Sequence, residues 1–179
     1  MPGLCKLTNA QACSCGEHWF APTSLWWIAI VDSEDRQLLQ DYKWSASGKY
    51  FSNPFYANST RYYRETGNSG RLHQIVTGHI YLQLDHVNGN GHDCRKVNLR
   101  PCNHTQNQYN RGARGVSGYK GVYETGEGKW IAHMRVEGCF LCLGTFGFKT
   151  DAAIAYNYAA AHLHNEFVKL NEITEWFHD

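Results

Sequence analysis

GYKGVYE at 118–124, KWIAHMRV at 129–136 and CFLCLGTF at 139–146 are three β-rich runs joined by two short turns, TGEG and EG. Runs of this composition with hairpin-type connections predict a three-stranded antiparallel sheet. Side chains alternate along a strand, so in the middle run Trp130, Ala132, Met134 and Val136 fall on one face. Lys129, Ile131, His133 and Arg135 fall on the other. The first face suits packing and the second a partner. The segment DAAIAYNYAAAHLH at 151–164 follows, dense in good helix formers, with Thr150 placed to cap it and Asp151 to complement its positive end. Its alanines allow a close approach to the sheet.

YKGVY, KWIAHMR, LGTF and AAIAYNYAA at these positions resemble the Apetala-two/ethylene-response-factor DNA-binding domain over residues 117–171. The resemblance implies a sheet that enters the major groove of double-stranded DNA. Lys120, Tyr123, His133, Arg135, Phe140 and Cys142 stand where the family makes its contacts, and Lys129 joins the expected DNA-facing set. Phe140 and Cys142 replace the usual hydrogen-bonding residues and cannot donate to guanine, so the family's preferred site is not expected to carry over.

A second segment, DHVNGNGHDCRKVNLRPCNHTQN at 85–107, spaces an acid, a histidine and two asparagines in a pattern suited to phosphodiester hydrolysis. That chemistry needs a general base for water and a hard cation for the charge growing on phosphate. His86 can supply the base, since an imidazole with a pKa of about 6.5 is neutral at cellular pH. Asp85 and Asn107 can supply oxygen ligands, which suit magnesium better than zinc. Asn98 is a candidate to aim the His86 ring, by tying the intervening loop to the strand carrying His86 or by holding the ring's other nitrogen. The pattern predicts a strand over 80–87, a turn at NGNG 88–91, a return strand over 96–100 and a helix over 104–110.

This segment resembles the HNH endonuclease family, whose ββα-metal unit has that arrangement. The resemblance implies Asp85 and Asn107 as ligands of a single Mg²⁺ or Mn²⁺, His86 as general base and Asn98 as the structural asparagine of the catalytic set. Asparagine at 107 replaces the family's final histidine. The implied activity is site-specific cutting or nicking of DNA by a homing or phage-encoded nuclease. The alternative is a non-catalytic, sequence-specific DNA-binding regulator with a decayed nuclease unit. An RNA-binding factor is disfavoured, because the sheet lacks a run of exposed aromatics for stacking unpaired bases.

The chain has 179 residues, enough for two small domains, and a net charge of only +1. Its distribution is uneven: residues 61–120 hold nine Lys/Arg against three Asp/Glu, whereas 121–179 hold four against eight. Basic charge therefore gathers where phosphates would lie. NRGARGVS at 110–117 has a linker composition, and Arg111 and Arg114 could follow a DNA backbone there. Seven cysteines with no apolar signal segment or membrane span favour a reduced, cytoplasmic setting. Cys139 and Cys142, three apart on an expected strand, point to opposite faces and cannot easily share a metal. Cys13, Cys15 and His18 offer three ligands without a clear fourth, and structural zinc is not expected.

The expected fold class is α+β. Residues 1–24 form an unassigned arm and 25–111 a nuclease domain with a β-rich leader. A linker at 112–116 leads to the sheet-and-helix domain at 117–171 and a tail at 172–179. In the leader, a strand is expected from Trp26, a helix around 32–41, a strand near 43–46, and further strands through KYFSNPFYANS and RLHQIVTG. The leader, with YKW and His73, resembles that of phage-type HNH proteins. Tyr42 and Trp44 are expected in the core, while His73 could serve packing or phosphate contact. No organic cofactor or membrane association is expected, and the chain is expected to act as a monomer.

Overall fold

A computed structural model describes residues 9–24, 27–47 and 56–174; Trp26 and the run 48–55, where strand structure is expected, lie outside them. The chain is α+β and divides into two compact units, Met1–Asn103 and His104–Asp179. Among the described residues no helix is long and apolar enough to cross a membrane.

The first unit is built on short antiparallel pairings. Strands β1 (Gln11–Ala12), β2 (His18–Pro22) and β3 (Ile28–Asp32) form one sheet in that order. A 3₁₀ turn and helix α1 (Arg36–Asp41) follow, then β4 (Ser45–Ser47) paired with β5 (Tyr56–Asn58). Helix α2 (Thr60–Thr66) starts where the Ser59 hydroxyl accepts from the Tyr62 amide and stops at Gly67, which takes φ 72°.

RLHQIVTG was expected as a strand and is instead helix α3 (Leu72–Val76). Leu72, Ile75 and Val76 are buried together, the i, i+3, i+4 spacing of one helical face. They join Ala29, Val31, Leu39, Trp44, Ala57 and Cys94 in the core of this unit. Trp44 is buried and Tyr42 packs against the same core.

Strands β6 (Leu84–His86) and β7 (Leu99–Pro101) pair antiparallel, with Asp85 opposite Arg100. The expected strand over 80–87 is shorter because His79 adopts φ 58° and Ile80 and Leu82 stand in solvent. The return strand also begins late, since Lys96–Asn98 form a 3₁₀ turn. Between β6 and β7 the loop lies along β3: the Ile30 amide donates to His92 O at 2.9 Å and the Cys94 amide to Ile30 O at 2.9 Å.

The second unit opens with helix α4 (His104–Tyr109), and its sheet is ordered β10 (Cys139–Phe146), β9 (Trp130–Val136), β8 (Val122–Glu124). The β9–β10 hairpin turns on Glu137 and Gly138, both at positive φ, as a two-residue primed turn requires. Helix α5 (Lys149–Leu163) packs on the sheet through Ala152, Ala153, Tyr156 and Ala160. It starts one residue before the expected cap at Thr150. Gly121 sits at φ +73° where a Cβ would lie 2.2 Å from the Tyr156 ring, so only glycine fits. Beyond α5, the Asn171 side chain accepts from the Lys120 amide at 2.6 Å and donates to Lys120 O at 3.1 Å. Its backbone exchanges two further bonds with the Asn157 carboxamide.

Candidate nucleic-acid interface

Alternation on the second unit's sheet sends Ala132 and Met134 inward, leaving Arg135, Tyr123 and Phe140 exposed and His133 half-buried. Register pairs Tyr123 with Ile131, His133 with Cys142, and Arg135 with Phe140. The outward rings are packed on one another. Tyr123 stacks on His133 with centroids 4.4 Å apart and planes 9° apart, and Phe140 meets the other side of His133 edge-on at 5.6 Å. The Arg135 guanidinium lies 5.2 Å over the Phe140 ring while its Nε donates to Gly138 O at 3.1 Å. The cation is thus held in place, and side-chain freedom that binding would otherwise freeze is already lost. Lys129 is exposed at the start of β9, 3.9 Å from Glu127. Exposed pairs of this kind contribute little.

Tyr123, His133, Arg135 and Phe140 line a groove of about 570 Å³ whose other wall includes His104, Gln108 and Tyr109 of α4. Tyr109 stacks on His164 at 3.5 Å between centroids, and His164 Nε2 lies 3.2 Å from Arg135 O. Burial lowers the His164 pKa below its ordinary value. The Lys120 ammonium donates to Tyr109 O, and burial, aided by the nearby charge of Lys169, lowers its pKa to about 8. Arg111 and Arg114 border a smaller hollow with Gln108, Lys120 and Tyr123. Of the expected DNA-facing residues, Arg111, Arg114, Lys120, Tyr123, His133, Arg135 and Phe140 line these two hollows, while Lys129 and Cys142 do not. Tyr109 and His164 were not singled out from sequence, and only an aromatic at the end of a polar helix and a histidine past an alanine-rich one could have pointed to them.

In the first unit, the Asp85 carboxylate is buried and receives Arg100 Nε at 2.9 Å and Nη2 at 2.7 Å on the same oxygen. The carboxylate expected to hold magnesium thus already faces a cation across the hairpin. His86 is buried too, its ring 5.0 Å from His73 and 5.7 Å from Tyr56. Burial drives both histidines toward the neutral form, His86 to a pKa of about 4 and His73, further opposed by the charge of His86, to about 3. Asn98 accepts from the Asn88 amide at 2.9 Å and donates to Asp93 O at 2.8 Å, bracing the loop from both ends. Asn107 lies half-buried on α4, in the second unit.

No family model matches the chain, and no solved structure matches it. The chain is similar to two curated proteins of Arabidopsis thaliana. It is 41% identical over 64 residues to "Dehydration-responsive element-binding protein 2C", covering 34% of this chain and 19% of that one. It is 37% identical over 59 residues to "Putative dehydration-responsive element-binding protein 2H", covering 32% and 38%. The chain thus spans well under half the length of either relative. These likenesses support a domain of the Apetala-two kind, and nothing in them supports an HNH nuclease. The expectation of an enzyme is accordingly corrected: both relatives carry the name of an element-binding protein, and neither that of a hydrolase. At 85–107 the structure pairs Asp85 with Arg100 and sets His86 beside the rings of His73 and Tyr56, contacts that residue types alone do not disclose.

Proposed function

We propose that the chain is a sequence-specific, non-catalytic DNA-binding regulator that reads duplex DNA through the exposed sheet face of its second unit. The observation that carries this reading is the preorganised set Tyr123, His133, Arg135 and Phe140 on that face, with Arg111 and Arg114 near one side. A narrow sheet of this kind fits a major groove about 12 Å wide. Arg135 is the residue best suited to a guanine edge, because guanidinium can pair with O6 and N7 together. Arg111, Arg114 and Lys129 suit phosphates, which position a protein without reading sequence. The first unit, its acid already paired, then serves as a scaffold.

Selection from a random duplex library, followed by fluorescence anisotropy on the enriched site, tests the reading. An enriched motif is expected. Arg135→Ala should weaken binding to it by about 5- to 150-fold, the equivalent of about 1–3 kcal/mol for one base contact. With about six phosphates neutralised, the log–log salt slope should be about −5. Failure to enrich any motif, or a single-stranded RNA that competes better than duplex, would reject it.

A further inference from the structure

The turn between β1 and β2 brings one donor atom each from Cys13, Cys15 and His18 to within 4.8 Å of one another. We propose that these three residues form a zinc site on this hairpin, a Cys₂His set whose fourth position is taken by water. The sequence offered three ligands and no fourth, but Cys15 is exposed, so solvent can complete the shell.

With zinc about 2.3 Å from sulfur and about 2.0–2.1 Å from nitrogen, tetrahedral coordination sets sulfur–nitrogen edges of about 3.6 Å and sulfur–sulfur edges of about 3.8 Å. Cys15 Sγ and His18 Nδ1 stand 3.2 Å apart, close to such an edge. A separation within 4.8 Å needs to contract by no more than about 1 Å to reach such an edge. The backbone is fixed without help from the side chains: the Cys13 amide donates to His18 O at 2.8 Å, and the Gly16 amide, at φ 78°, to Cys13 O at 3.0 Å. Thiolates with an imidazole select a soft or borderline cation over magnesium.

One contact opposes the site. Zinc on Nδ1 would leave the ring proton on Nε2, which now lies 3.5 Å from Arg95 Nη1. That contact is at the outer limit of a hydrogen bond, and Arg95 keeps its bonds of 2.7 and 2.6 Å to Asp93 if it turns aside. A second trio, His73, His86 and Cys94, also converges, but all three are buried and burial pushes the Cys94 thiol far up, so it stays protonated.

Cobalt titration of the full reduced chain, followed by zinc back-titration, tests the proposal. One equivalent should bind, with a thiolate-to-cobalt charge-transfer band and the intense visible bands of tetrahedral coordination, and zinc should displace it. Cys13→Ser, His18→Asn and the exposed Cys15→Ser should each weaken binding by more than the roughly 10- to 100-fold lost with an outer partner. A Cys139→Ser/Cys142→Ser double variant should bind as wild type does. Absence of the bands in wild type, their persistence in a Cys15→Ser chain that keeps its native circular dichroism, or their loss only in the double variant would overturn the site.

Discussion

Gly118 and Gly121 offer a matched pair for testing how the second unit is packed. Both take nearly the same left-handed backbone, φ +76° and φ +73°. A Cβ on Gly118 meets nothing within 4 Å, whereas one on Gly121 would stand 2.2 and 2.4 Å from the Tyr156 ring and 2.6 Å from His133 O. Gly118→Ala therefore carries only the left-handed penalty, about 1–2 kcal/mol. Gly121→Ala carries the same penalty plus overpacking against a buried ring and a fixed carbonyl, about 1–3 kcal/mol more. Tyr156 has little room to yield, since it is buried in one cluster with Met134 and Ala160. The two losses can be read from urea unfolding followed by circular dichroism, with hydrogen-exchange mass spectrometry assigning the loss to residues 104–179. Equal destabilisation by the two substitutions would refute the close approach of α5 to Gly121 and with it the packing of helix on sheet.

Two further outcomes follow from the first unit. His73 and His86 have folded-state pKa values of about 3 and about 4 against an ordinary 6.5, so the unfolded chain binds more protons between those limits. Their stabilising contribution is then complete above about pH 6.5 and is lost as pH falls through 4 toward 3, by up to about 8 kcal/mol in all at about 1.4 kcal/mol per unit for each histidine. Urea midpoints measured between pH 7 and 4.5 should fall steadily in wild type and less steeply in His73→Phe; identical slopes would contradict the buried neutral pair. Asn98→Ala removes both the acceptor for the Asn88 amide and the donor to Asp93 O. About 1–3 kcal/mol should be lost, with faster exchange of the Asn88 amide, and unchanged protection there would show that the loop does not depend on this brace.

The sheet of the second unit was legible because strict alternation with hairpin turns leaves one arrangement, and the faces of β9 came out as the spacing of Ala132 and Met134 predicts. Helix α3 was not legible. Leu72, Ile75 and Val76 satisfy both a short strand and a single helical turn, and only the surrounding core decides between them. In the run 80–87, the apolar residues Ile80 and Leu82 imitate a half-buried strand yet face solvent, which no local pattern reveals. At the candidate interface, Arg135 and Tyr123 could be placed from period alone. Their support could not be, because the stack of Tyr109 on His164 joins residues far apart in sequence. The Asp85–Arg100 pair was hidden for a similar reason, since it follows from strand register and not from spacing along the chain.

Asn171 fastens the segment after α5 to the approach to β8, and Lys169 donates its amide to Tyr109 O at 3.1 Å. A fragment that keeps these contacts therefore has two distant endpoints, one upstream of Tyr109 and one downstream of Asn171. A protease or a recombination event that severed the Gly/Arg stretch at 112–116 would strand Tyr109 on the wrong side of the break, leaving His164 and the Lys120 ammonium without the residue they rest against. Inheritance of the second unit as a portable piece would thus have to carry helix α4 along with it.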